Sequence, residues 1–359
     1  MVEARPPSYI PSLDGIRALS IGVVFVAHAG ADHVVPGGFG VTVFFFLSGF
    51  LITTLLRRER SRTGRIDFRN FYIRRSLRIF PPMYLALAAS AVLSGLGWLP
   101  HPATAEGIAF QALHLSNYYS IFEGGSGIAS GMGIMWSLAV EEHFYLTFPW
   151  LCLPLLRLGR AGRLLVLVAL CAAVLLWRVY LVSEGADPAR TYMATDTRFD
   201  SILFGCLLAL CFNPVLDPPI EGRAEWELLV LAASGALLVF CFLYRDPVFR
   251  ETYRYSLQGI ALAPAFYLAV RRHRWPLFAW LETTPMKWLG LTSYVMYLCH
   301  HVIIYLLGHQ LPGVPVAARG ALAFALTLAV SSATYWWVEK PLARMRHRFH
   351  APARARAEA

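Results

Sequence analysis

Two kinds of side chain in this sequence stand where they could do chemistry: a histidine and paired carboxylates within apolar stretches, and an arginine cluster at the edge of one. His28 follows Arg17 by eleven residues inside an apolar run. On a helix that is about 16 Å and close to three turns, so the two share nearly one face at opposite depths. A neutral imidazole there could act as a general base; the plainer alternatives are a packed, hydrogen-bonded histidine and an arginine snorkelling to the interface. Glu141 and Glu142 open another apolar run, after Trp136-Ser137-Leu138 and before His143. Adjacent helical positions point about 100° apart, so the carboxylates take different partners: an arginine for one, a histidine or a substrate hydroxyl for the other.

Arg74, Arg75 and Arg78 close the stretch 57–80, which holds nine arginines and two acids and ends just before Pro81-Pro82. On a helix Arg74 and Arg78 share a face, with Arg75 close by. Such a cluster can grip a phosphorylated ligand through bidentate hydrogen bonds, while topology anchoring or anionic headgroups account for several of the nine. Asp196, Arg198 and Asp200 enter a further run; Ser293, Tyr294, Tyr297, His300 and His301 lie within another; Glu339 follows Trp336-Trp337. Ionisable groups at membrane depth are costly, and polar residues from at least five spans can meet only in a water-accessible cavity. HExxH and other zinc-ligand spacings do not occur, so no metal is expected. Ser48 has no base at a recognisable spacing and no GxSxG elbow. Gly40 and Gly49 fit close helix packing.

An apolar scaffold must position these residues. Hydrophobic residues make up 57% of the chain and charged ones 15%, with mean hydropathy +0.51; soluble domains average roughly 45–50% and about 25%. This composition indicates a polytopic membrane protein and excludes disordered, fibrous and small disulfide-stapled chains. At about 20 residues per span, ten candidates are found, near 16–34, 39–56, 81–98, 137–156, 164–182, 199–213, 226–244, 256–270, 289–309 and 317–337. With both termini cytoplasmic, the inner segments hold 25 of the 32 Lys and Arg residues, and the outer loop 99–135 holds none. That is the positive-inside bias, and the spread of charge along one membrane face argues against nucleic acid as a partner. The six cysteines lie in apolar runs without a CxxC, as small apolar side chains do, so no disulfide is expected. The first span lacks a cleavage site and reads as retained.

The sequence resembles the acyltransferase-3 family of integral membrane acyltransferases, which O-acetylate bacterial surface polysaccharides, Nod factors and some macrolides. The likeness runs from about residue 8 to 343 through seven motifs in family order: Leu13-Asp14-Gly15-Ile16-Arg17 with its spacing to His28; Gly40-Val41 to Ser48-Gly49-Phe50; Arg74-Arg75, Arg78-Ile79, Pro81 and Tyr84; Trp136-Ser137-Leu138, Glu141-Glu142 and Phe144-Tyr145; Asp196 and Arg198-Phe199-Asp200; Ser293-Tyr294, Tyr297 and His300; and Glu339-Lys340-Pro341. It implies an all-α bundle and an acyl-CoA-dependent enzyme, with acetyl-CoA bound from the cytoplasm as donor. The acceptor implied is a carbohydrate hydroxyl on a cell-surface polysaccharide, lipopolysaccharide or lipid-linked sugar; a small secondary metabolite such as a macrolide sugar is the alternative. His28 becomes the catalytic base and Arg17 its partner; Glu142 or Glu141 belongs with them. Arg75 and Arg78 hold donor phosphates, with Arg74 in a lesser part. Trp136, Ser137, Asp196, Arg198, Asp200, Tyr297 and His300 are expected at the acceptor.

Residues 1–343 are expected to form the transmembrane acyltransferase domain and 344–359 a basic, disordered cytoplasmic tail, in the stand-alone form without an SGNH-hydrolase domain, as a multi-pass protein of the bacterial cytoplasmic (inner) membrane. His143 stands where many members of that family carry an amide or another residue, a departure that touches nothing central. Direct transfer is expected, with Glu141, Glu142, Asp196 or Asp200 orienting His28; a covalent acyl-His28 intermediate is the variant. A secondary transporter would show repeated halves with interrupted helices, which are not seen, and a glycan exporter would need no basic mouth beside His28.

Overall fold

The computed structural model describes residues 10–220 and 222–349, and among these there is no strand. In chain order the helices are α1 (Pro11–Val26), continued by a π turn (Ala27–Ala31), α2 (Gly37–Thr63), α3 (Phe68–Gly95), the short α4 (Ala105–Ala112) and α5 (Ser116–Phe122), α6 (Met135–Leu155), α7 (Arg160–Ser183), α8 (Pro188–Met193), α9 (Thr195–Cys211), α10 (Ala224–Leu243), α11 (Pro247–Glu251), α12 (Tyr253–Arg271), α13 (Pro276–Ala279), α14 (Thr284–Gln310), α15 (Val316–Thr334) and α16 (Lys340–Arg346). Among the described residues seven stretches are helical, long and apolar enough to cross a membrane: Pro11–Ala31, Gly37–Thr63, Phe68–Gly95, Arg160–Ser183, Ala224–Leu243, Thr284–Gln310 and Val316–Arg346. Helices α6, α9 and α12, of 21, 17 and 19 residues, occupy the other three expected stretches. Of the tail expected from residue 344, the part up to Phe349 is helical; residues 350–359 lie outside the described residues.

The basic stretch 57–80 is not a loop. α2 runs on to Thr63, where Gly64 turns left-handed (φ 76°) and its N–H closes on the Arg60 carbonyl, a glycine C-cap. Asp67 then caps α3 through the Asn70 N–H. Arginine ends a hydropathic run but is a good helix former, so hydropathy placed the boundaries at the membrane edge and the helices continue beyond it.

The structure divides into two compact units. The first comprises Met1–Ser20, Gly40–Arg58 and Phe144–Leu291. Within it α9 packs against α7 and α12, and α12 against α10. A side chain on Gly49 would strike the Ile202 carbonyl, and one on Gly205 the Phe46 carbonyl, so these glycines bring α2 and α9 into backbone contact. Gly15 and Gly290 do the same against Leu281 and Asp14. The polar centre of this unit is Arg178, fully buried and paired through both terminal nitrogens with Asp200 at 2.8 Å, while Ser256 Oγ donates to the same carboxylate at 2.6 Å.

The second unit comprises Ile21–Phe39, Glu59–His143 and Thr292–Ala359. Val295, Cys299, Ile303 and Leu307 form an i, i+4 stripe on α14 that buries Phe25 and Ala323. α3 and α14 run in the same direction: Tyr294 Oη donates to the Ile79 carbonyl at 2.8 Å, and near their far ends Gln310 Nε2 donates to the Trp98 carbonyl at 3.2 Å. The loop 99–135 is a folded hairpin. Its base is fixed where Ser90 Oγ donates to the Ser130 carbonyl and Ser130 Oγ to the His101 carbonyl. Its arms, α4 and α5, pair through stacked Phe110 and Tyr119 at 4.6 Å. Buried Gln111 holds the returning segment through Met132 and Ala129. Gly131, at φ 76°, lets that segment lie on α14, where a Cβ would stand 2.5 Å from Val302 Cα.

Breaking a buried ion pair leaves an uncompensated charge and costs about 3–5 kcal/mol, whereas removing both partners is often near neutral. Arg178→Met should therefore melt markedly lower in detergent than the wild type, and Arg178→Met/Asp200→Leu should regain most of the loss; a double variant no better than the single one contradicts this account.

Candidate active site

The site is built where α1 gives way to its π turn. Gly30 takes φ 113° within that turn, and the changed helical phase, frequent at functional positions, presents His28 to α14. Nδ1 of His28 lies 2.9 Å from Nε2 of His300, the rings nearly parallel at 19°. His301 stacks on His28 at 4.4 Å and meets Tyr305 edge-on at 4.7 Å. Among the described residues no group of His, Cys, Asp and Glu is disposed to hold a metal ion.

The hydrogen bonds settle the tautomers. His300 is fully buried, and its Nδ1 faces two carbonyls, Tyr297 at 2.7 Å and Met296 at 3.1 Å. Carbonyls only accept, so this nitrogen carries the proton and, in the neutral ring, Nε2 carries the lone pair. His300 Nε2 therefore accepts from His28 Nδ1–H, which leaves the lone pair of His28 on Nε2. The hydrogen-bond partner of His28 Nδ1 is thus an imidazole and not one of the carboxylates expected there: Asp200 is committed to Arg178, Asp196 to Arg190 and Trp177, and no hydrogen bond joins Glu142 to His28.

Two motifs brace this pair. Ser137 Oγ and Tyr297 Oη are 2.7 Å apart and both lie within reach of the Ile134 carbonyl, so one hydroxyl donates to the other and the second donates to the carbonyl. The bond joins α6 to α14 one turn before His300. Both hydroxyls, and Trp136, are buried, so these residues reach the site by holding helices together. Glu142 is buried with Oε1 unpartnered, and Glu141 and Arg75 act on it electrostatically.

Along α3 the arginines separate by role. Arg74 binds Glu59 at 2.8 Å and the Phe349 carbonyl at 2.6 Å, a structural tie. Arg75 lies 5.8 Å over the Phe71 ring. Arg78 is half-buried and forms no ion pair among the described residues, and Arg346 of α16, which packs on α3, lies within electrostatic reach of it. Glu339 also acts on Arg346; the two cations outweigh that one carboxylate and leave a net positive place for an anion.

The other expected residues belong to the first unit. Arg17 pairs with Asp14 at 3.2 Å. Arg198 is enclosed by Tyr255, Tyr192 and Phe45 at 3.9, 5.4 and 5.5 Å, and its guanidinium donates to Thr42 Oγ1. Asp196, Arg198 and Asp200 thus serve that unit's own packing. Sequence reasoning missed Arg178, which carried a visible signal as a charge inside the run 164–182, and Arg346, which carried none because residues 344–359 read as tail.

The tautomers can be measured directly. Nitrogen-15 spectra of histidine-labelled protein, assigned with His28→Gln and His300→Gln, should show both neutral rings protonated at Nδ1; a proton on His28 Nε2 in the neutral protein contradicts the arrangement.

A family model, acyltransferase domain (Acyl_transf_3), matches residues 10–336. The peptidoglycan O-acetyltransferase OatA of Listeria monocytogenes is 30% identical over 353 residues, covering 93% of this chain and 56% of that protein. The O-acetyltransferase OatA of Staphylococcus aureus is 30% identical over 351 residues, covering 94% of this chain and 57% of its own length. The chain therefore spans a little over half the length of these curated relatives. No solved structure matches it. The family match extends over the helices that carry His28, Arg78, Glu142 and His300, and the chain belongs to the acyltransferase-3 family.

Proposed function

We propose that this chain is a multi-pass O-acyltransferase of a bacterial cytoplasmic membrane, with ten spans and both termini inside, that moves an acetyl group from cytoplasmic acetyl-CoA to a hydroxyl of a cell-envelope glycan. The observation that carries this reading is the hydrogen bond from His28 to His300, which leaves one imidazole nitrogen aimed away from the bond with its lone pair intact. The two relatives, named as O-acetyltransferases and one of them for peptidoglycan, support a glycan acceptor.

Nε2 of His28 takes the proton of the acceptor hydroxyl as its oxygen attacks the thioester carbonyl. The new C–O bond forms, the C–S bond breaks, and the proton passes from Nε2 to the departing sulfur. While His28 is protonated, its charge is spread through Nδ1–H to His300, whose own N–H is held by two carbonyl dipoles. General base catalysis of this kind supplies roughly 10²–10⁴-fold, with positioning adding to it. Arg75, Arg78 and Arg346 hold the donor's phosphates at the cytoplasmic end of α3, where the fork of each guanidinium matches phosphate oxygens.

Purified protein should transfer acetyl from acetyl-CoA to chitotetraose, a neutral glycan, read as a mass increase of the sugar. His28→Ala should abolish transfer while the protein still inserts and melts normally. His300→Leu should lower kcat by about 10²-fold with acetyl-CoA affinity unchanged, and Arg75→Ala/Arg78→Ala should weaken acetyl-CoA binding at least tenfold. Full activity in His28→Ala would end the proposal.

A further inference from the structure

The hairpin of the outer loop descends along α3. Its base is tied at Ser90, but near its tip Tyr84 Oη donates to the Ala112 carbonyl and the His114 ring lies 5.4 Å from that of Phe80. Six to ten residues of helix separate those anchor points, about 9–15 Å, so the tip reaches to within two residues of Arg78 along α3. Non-helical backbone at such a depth is tolerated only where protein buries it or a polar cavity receives it.

The tip carries costs that packing does not explain. His114 has φ 57°, and among the described residues it is the one non-glycine residue in the left-handed region. Its side chain is 8% exposed, and neither ring nitrogen has a hydrogen-bond partner. Ser116 Oγ and Glu142 Oε1 are likewise buried without partners. Ser116 lies two residues beyond His114, His143, which follows Glu142 in the chain, hydrogen-bonds to the backbone of His114, and Arg75 acts on Glu142 from α3. Burial, and then nearby His143, bring the His114 imidazole down to about 4, so it is neutral at physiological pH, with one N–H to give and one lone pair to receive. Each unmet buried group costs stability, and so does a non-glycine residue held in the left-handed region.

Position suggests what meets them. Tyr294 of α14 is level with Ile79, beside Arg78, and His300 stands six residues further along α14, about 9 Å. The tip occupies the interval between the arginines and the imidazole pair. Resting on the donor assignment above, we propose that His114, Ser116 and Glu142 form a polar contact for the pantetheine arm of the acyl donor on its way from Arg75 and Arg78 to His28. The arm's secondary amides each offer one N–H and one carbonyl, which a neutral imidazole, a hydroxyl and a carboxyl group can answer.

The test compares acetyl-CoA with adenosine 3′,5′-bisphosphate, which has the nucleotide phosphates and no arm, by calorimetric binding to the full chain in detergent. His114→Phe keeps the ring on Phe80 and should melt no lower than the wild type, because it removes an unpaired buried group. It should weaken acetyl-CoA at least tenfold and leave the bisphosphate unchanged; Ser116→Ala should weaken acetyl-CoA alone, by threefold or more, and Arg78→Ala should weaken both ligands. Unchanged acetyl-CoA binding in both tip variants overturns the proposal, as does equal loss of both ligands, which marks a structural role, or an effect confined to the KM for chitotetraose, which moves the contact to the acceptor. Wild-type protein that binds neither ligand overturns the donor assignment itself, and this proposal with it.

Discussion

An imidazole in apolar surroundings can act as a base only if its reactive nitrogen keeps a lone pair, and what the other nitrogen bonds to decides that. In this protein the choice is made two steps away from His28, where the backbone carbonyls of Met296 and Tyr297 accept from His300 Nδ1 and so set both rings. A helix normally spends its carbonyls on its own ladder, but each carbonyl has a second lone pair, and His300 uses those. The arrangement avoids a buried carboxylate, whose desolvation would have to be offset by a second charge. Its weakness is that an imidazole partner has no net charge with which to stabilise the protonated base, so geometry must be held tightly.

Much of the second unit supplies that tightness. Phe25, one turn before His28, is locked into the aliphatic stripe of α14 that begins at Val295. The Ser137–Tyr297 hydrogen bond fixes α6 to the turn that carries the accepting carbonyl. Gly131 seats the outer hairpin against Val302, directly after the two histidines. Because α3 and α14 run in the same direction and are tied at Ile79 and again at Trp98, the arginines, the hairpin tip and the imidazole pair follow one another along a single axis. An elongated ligand with charge at one end and a reactive group at the other fits that order better than a compact one.

Composition and periodicity made the helical membrane class legible: only helices and closed barrels satisfy the backbone in lipid, and continuous apolar runs of about 20 residues fit helices and not the alternating strands of a barrel. Helix ends were less so: the arginines of 57–80 interrupt hydropathy without interrupting helix, and α9 falls short of a full span with 17 residues. His28 could be picked out because an ionisable residue in an apolar run is conspicuous. Its partner could not be read: the sequence offered four carboxylates for that part and placed His300 at the acceptor, and only three-dimensional contact puts His300 against His28. His114 was hidden in a loop whose polar composition reads as a connector, and its importance rests on a backbone angle and on missing hydrogen bonds, neither of which leaves a mark in sequence.

A motif match does not distinguish residues that touch a ligand from residues that hold helices, but hydrogen-bonding capacity does. Asp200 and Arg178 spend theirs on each other and on Ser256; Ser137 and Tyr297 spend theirs on each other and on Ile134. Such groups are complete in the folded chain, and a ligand would have to break something to reach them. Arg78, His114, Ser116 and Glu142 retain capacity that the described residues do not meet, and His28 retains a lone pair at Nε2. All five lie in the second unit, on elements bound to α3 or α14. Unmet polar groups cost stability singly, and gathering several on rigid elements is expected only where something other than the chain completes them.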